Sequence, residues 1–151
     1  MKKFLVLALV AMISATGFSK TIDEVFNAFP KADNVQEVTL DKAMLAMAGN
    51  AGGEKVKQMK DIDVMRVIAI EDATAEQVKI AKELMNEGVD GFDVMVDADE
   101  EGEHALILTQ GDDKLISKML IIAITKEEVA VVLIEGKIDP EKATNLANIA
   151  K

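Results

Sequence analysis

From residue 92 to residue 134 the chain carries four apolar segments, at 92–96, 105–109, 115–124 and 129–134, patterned as β-strands. Only short polar stretches separate them: an Asp/Glu/Gly run, Gly111-Asp112-Asp113 and Lys126-Glu127-Glu128. Connections this short cannot carry a strand over to a parallel partner, so consecutive strands must be antiparallel neighbours. Residues 119–124 and 129–134 are almost wholly apolar, which predicts central strands covered on both faces.

Upstream, strands alternate with helices. Thr21 and Glu24 have capping-box spacing, with Val25, Phe26 and Phe29 on one face and Pro30 as the stop. Residues 35–40 read as a short strand, and Asp41 can cap a brief helix carrying Met44, Leu45 and Met47. Gly49, Asn50, Gly52 and Gly53 predict a loop, with a second short helix over 54–59. A buried strand over 64–70 leads to Thr74 and Gln77, again a capping box. The helix they open puts Val78, Ala81, Leu84 and Met85 on one face and stops at Gly88. Asp139 and Pro140 open a last helix running to about residue 150. The expected fold is α+β: a two-layer sandwich, with a largely antiparallel sheet of about five to six strands and helices on one face.

The first nineteen residues follow a different logic. Lys2 and Lys3 precede an unbroken apolar run over 4–13, then small and polar residues to Ser19. That is the layout of a secretory signal peptide, with cleavage expected near Ser19-Lys20. The apolar run is too short to span a bilayer. What remains, 20–151, contains no linker or low-complexity tract and reads as a single globular domain. Its formal charge becomes −12, because Lys2 and Lys3 are lost from a chain of charge −10. So acidic a chain is a poor partner for nucleic acid or anionic lipid. With no cysteine there is no disulfide, zinc ribbon, iron–sulfur cluster, thiol nucleophile or lipid attachment point. No cofactor is called for.

The run Val-Ala-Val-Val-Leu-Ile-Glu-Gly-Lys-Ile-Asp from Val129 to Asp139, followed by a short helix, resembles exported bacterial proteins of the domain of unknown function 4252 family. So does Val-Met-Arg-Val-Ile-Ala-Ile-Glu-Asp from Val64 to Asp72 ahead of a capped helix. The resemblance spans roughly residues 20–150 and implies an envelope location. It implies no activity, substrate or catalytic residue. Many members look like lipoproteins with a cysteine at the mature start, and this chain departs from that pattern.

Few constellations could carry chemistry. Asp97, Asp99, Glu101 and Gly102 match the first half of a calcium loop, with Glu103 following. The second half fails: Leu108 stands where a bidentate glutamate belongs, and the flanks read as strands. A solvated hairpin turn is the simpler reading. His104 could act as a general base with Asp99 or Glu103, or ligate a metal, though a lone histidine at a strand start is more often a surface or half-buried residue. Ser117 lacks a nucleophile elbow. The segment Gly49–Lys55 has Glu54 where a phosphate loop needs glycine. Methionines such as Met44, Met47, Met65, Met85 and Met119 could bind copper(I) but read as core filler. The absence of tryptophan and tyrosine argues against carbohydrate recognition.

The expectation is a non-enzymatic exported protein, periplasmic or secreted, that binds another envelope protein through sheet edges or the 49–53 loop. The alternative is a small-ligand or calcium-binding periplasmic protein using Asp97, Asp99, Glu101 and Glu103.

Overall fold

The computed structural model describes residues 20–51, 61–112 and 114–140. In chain order the elements are α1 (Ile22–Asn27), β1 (Val35–Asp41), α2 (Lys42–Ala51), β2 (Ile62–Ile70), α3 (Ala75–Glu87), β3 (Asp93–Glu100), β4 (Glu103–Gly111), β5 (Ile116–Ile124) and β6 (Val129–Ile138). The six strands form one sheet in the order β1-β2-β6-β5-β4-β3, and every neighbouring pair is antiparallel. The α+β sandwich expected from the sequence is the fold observed, with the difference that α2 packs on the face opposite to α1 and α3.

The chain takes a long detour to build this order. After β2 it crosses the sheet through α3 and starts β3 at the far edge. The meander β3-β4-β5-β6 then walks back until β6 pairs with β2. The two apolar runs therefore sit in the middle, as their composition requires, and each buries alternate residues on opposite faces. On the first face Ile68, Leu108, Leu120, Ile122, Val131 and Leu133 pack with Val25 and Phe26 of α1 and Ala81, Leu84 and Met85 of α3. On the second face Met65, Ile107, Met119, Ile121, Val132 and Ile134 form a separate cluster, to which α2 contributes Leu45. Each fully buried aliphatic side chain contributes about 1.5–3 kcal/mol, so the double-sided core is the main source of stability.

The helix starts follow the sequence grammar. Thr21 Oγ1 accepts from the Glu24 amide at 3.2 Å, and Asp41 Oδ1 accepts from the Met44 amide at 2.9 Å. At α3 the capping box is complete: Thr74 Oγ1 accepts from the Gln77 amide, and Gln77 Oε1 accepts from the Thr74 amide. Gln77 is buried, and its side chain also exchanges two hydrogen bonds with Asn34, at 2.8 and 3.1 Å. That network ties the start of β1 to the start of α3. At the β4–β5 turn the Asp112 carboxylate accepts from the Leu115 and Lys114 amides, which hold it below the ordinary carboxylate range.

Several boundaries differ from expectation. Helix α2 runs to Ala51, so Gly49 and Asn50 are helical rather than loop; Ala46, Ala48 and Ala51 supply enough propensity to carry them. Gly52, Gly53 and the helix expected at 54–59 lie outside the described residues, as does the last helix beyond Pro140. β3 and β4 reach to Glu100 and back from Glu103, through residues read as an acidic turn. β6 continues past Ile134 to Ile138.

The extension of β6 depends on Gly136. The register shifts between Ile62 and Val64, and the β6 backbone presses against the preceding residues of β2. A Cβ at Gly136 would collide with the Asp61 carbonyl oxygen and lie 2.8 Å from Ile62 Cα. The Lys137 amide donates to that same carbonyl at 2.9 Å, which fixes the approach. Gly136→Ala is expected to destabilise the fold by about 2–4 kcal/mol. Denaturant unfolding of residues 20–151 measures this, and a loss under 1 kcal/mol (roughly the ordinary cost of a surface change) would show that the bulge repacks.

Candidate functional site

The β3–β4 hairpin positions the residues singled out by sequence. Its turn is only two residues, Glu101 and Gly102, with φ of 51° and 85°. Two consecutive positive φ values match the right-handed twist of the flanking strands. Gly102 adopts its value freely, whereas Glu101 carries the cost of a left-handed conformation. Because the turn is so tight, the strand alternation runs undisturbed through the acidic run.

That alternation separates the four candidate carboxylates. Asp99 lies opposite His104 and Asp97 opposite Leu106, so these share the helix-covered face with the Leu106 and Leu108 core positions. Glu103 pairs with Glu100, and both project to the other face. Glu101 caps the tip. The half calcium loop is thus a straight hairpin with its oxygens divided between two sides of a sheet. Among the described residues no group of three or more His, Asp or Glu side chains is placed to hold a metal ion.

His104 makes one strong contact, with Nε2 2.5 Å from Asp97 Oδ1. The partner is a diagonal neighbour rather than Asp99 or Glu103. Ser117 stands at the far end of β5, seven residues from Ile124, the cross-strand partner of His104. At about 3.3 Å per residue that is about 23 Å, so the two cannot act together. Ser117 Oγ instead donates to the Gln110 carbonyl at 3.0 Å. Met65, Met85 and Met119 are buried core residues, while Met44 and Met47 lie exposed on α2.

Two concave regions flank this framework. One lies on the second face at the hairpin end of the sheet, a groove of about 350 Å³ lined by Ala98, Ala105, Ala123, Ala130, Glu100, Glu103 and Glu128 among others. Its floor is a row of alanines: Ala98 pairs with Ala105, Ala105 with Ala123, and Ala123 with Ala130; Ala69, opposite Ala130, continues the row beyond the groove. The other, about 370 Å³, lies on the helix side and is lined by Thr21, Asp23, Arg66, Asp90, Gln110, Lys118 and Glu135 among others. There each cation already has a carboxylate partner. Lys118 Nζ is 3.2 Å from Glu135, and Arg66 is 3.5 Å from both Asp23 and Glu37. Arg66, the only arginine in the chain, also stacks 4.2 Å from the Phe26 ring centroid. Sequence reasoning passes over it, although a single arginine inside an apolar strand is a visible anomaly.

Strand β3 is an outer edge, and all eight of its residues are exposed. Val94, Met95 and Val96 present 60%, 37% and 37% of their surface to solvent. Met95 sits in a bulge, since Val94 pairs with Leu108 and Val96 with Ile107.

Comparison with known proteins finds one family model, described as Domain of unknown function (DUF4252), matching residues 26–146. No curated protein matches the sequence.

Titrating residues 20–151 with millimolar calcium is expected to release no saturable heat. A saturable heat that disappears in the Asp97→Asn, Asp99→Asn double variant would mean that the hairpin rearranges around the ion.

Proposed function

The chain belongs to the DUF4252 family, and from that premise we propose that it is an exported, non-enzymatic module that binds another protein of the bacterial envelope. The observation that carries the reading is the run of three exposed apolar residues, Val94, Met95 and Val96, on a strand that pairs along one side only among the described residues. An edge strand with exposed apolar side chains is a ready template for contact with another chain. The placement of Ser117 supports the same reading: it donates to the Gln110 carbonyl at the other end of the sheet from His104, so the two form no nucleophile–base pair.

Export rests on the n-region, the apolar run over 4–13 and the small residues that follow. Lys20 supports cleavage just before it. Its carbonyl accepts from the Asp90 amide at 2.8 Å, it bridges to Val89, and its ammonium lies 3.6 Å from Glu87. A mature chain starting there keeps all of these ties. Among the described residues no helix is long and apolar enough to cross a membrane. Without a cysteine the mature start carries no thioether-linked lipid.

N-terminal sequencing of the protein recovered from the host's envelope or medium is expected to begin at or within a few residues of Lys20; an intact Met1 would refute export with cleavage. Cross-linked affinity capture from the same compartment is expected to yield a near-stoichiometric partner. Val94→Lys with Val96→Lys should reduce that capture about ten-fold. Equal recovery by wild type and double variant would remove β3 from the interface.

A further inference from the structure

Resting on the protein-binding reading above, we propose that the groove at the hairpin end of the second sheet face receives a cationic amphipathic helix of the partner. The second face is not uniformly covered. Ile134 and Val132 are 1% and 2% exposed, yet one row further toward the hairpin turns Ala130, Ala123 and Ala105 are only half-buried and Ala98 is open. The uncovered part is therefore a band running across the strands over the alanine row.

Its dimensions follow from sheet geometry. Ala98 to Ala130 spans three inter-strand gaps, about 14 Å at about 4.8 Å each. From the aliphatic row containing Ile107 to Glu103 on the other side is four residue steps, about 13 Å at about 3.3 Å each. A helix is about 10–12 Å across and rises about 1.5 Å per residue, so about ten residues would fill the trough. Alanine on the floor permits close approach.

The walls specify the chemistry of that helix. On the inner side stand Ile107 and the exposed Val96, an apolar wall continuous with the β3 edge. On the outer side stand Glu100, Glu103 and Glu128, all lining the groove. Glu100 and Glu103 are directly opposed across the hairpin, an arrangement that is unfavourable for like charges. Among the described residues none of the three has an ion-pair partner, in contrast to Glu37, Glu87 and Glu135. A helix with one aliphatic stripe and lysine or arginine beside it would cover the apolar wall and relieve that repulsion. An anionic surface would be repelled by the same wall.

The test uses residues 20–151 and a fluorescein-labelled fourteen-residue leucine–lysine peptide patterned as an amphipathic helix, read by anisotropy. Saturable binding is expected, with none for the matching leucine–glutamate peptide. Glu103→Lys with Glu128→Lys should weaken binding at least about ten-fold, and Ala105→Leu, which fills the floor, should weaken it too. Glu76→Lys with Glu83→Lys, on the exposed side of α3, should leave it within about two-fold. No binding, or equal losses from the groove and α3 reversals, overturns the proposal. A photo-reactive residue at Glu103, and separately at Val94, separates this inference from the broader reading. Capture of a partner from Val94 alone leaves a protein-binding module without this groove. Capture from neither position refutes both.

Discussion

The pairing of β2 with β6 is the constraint on which the rest of this structure depends. It joins the helix-rich first half of the chain to the meander of the second half through eight paired positions. Without it the meander would end in an exposed apolar strand, and β1 and β2 would form an isolated ribbon, marginal on its own in water. The pairing closes only because α3 carries the chain across to the far edge, leaving β6 to return beside β2. Gly136 and the bulge at Ile62–Val64 adjust the end of that ladder. Stability, topology and the separation of the two sheet faces thus trace back to one long-range antiparallel contact.

Arg66 occupies a second point of convergence, at the junction between β2 and α1. Its guanidinium is shared by Asp23, Glu37 and the Phe26 ring, so one side chain links α1, β1 and β2. A six-residue helix such as α1 has little stability of its own. Burial of Val25 and Phe26, the Thr21 cap and this clamp hold it against the sheet together. Arginine suits the role because its planar group can stack on a ring and still donate sideways.

What was readable in the sequence was local. The Thr74–Gln77 box, the Gly88 stop, the Asp41 cap and the central placement of 119–124 and 129–134 need only a few neighbouring residues to be recognised. What was not readable depends on register. Asp97 and Asp99 have poor strand propensity and looked like turn, yet pairing with Ala105–Leu106 and the two-residue Glu101–Gly102 turn draws them into β3. His104 finds Asp97 only through the diagonal geometry of that hairpin. The alanine row is assembled from positions 69, 98, 105, 123 and 130, which have no common spacing and align only once five strands are in register. Nothing near Gly136 in the sequence marks it as a point of close backbone approach; that role is visible only from Asp61 across the sheet.

The two outer strands of the sheet among the described residues bear on how copies of this molecule meet. β1 presents Glu37 and Asp41, and β3 presents Asp93, Asp97, Asp99 and Glu100 with a bulge at Met95. Joining margin to margin, in either orientation, would set carboxylate rows against each other and would have to accommodate the bulge. Growth into an extended ribbon is therefore opposed at both ends of every molecule. A chain with an open apolar edge can in this way stay dispersed at high local concentration while leaving that edge available to a partner of opposite charge.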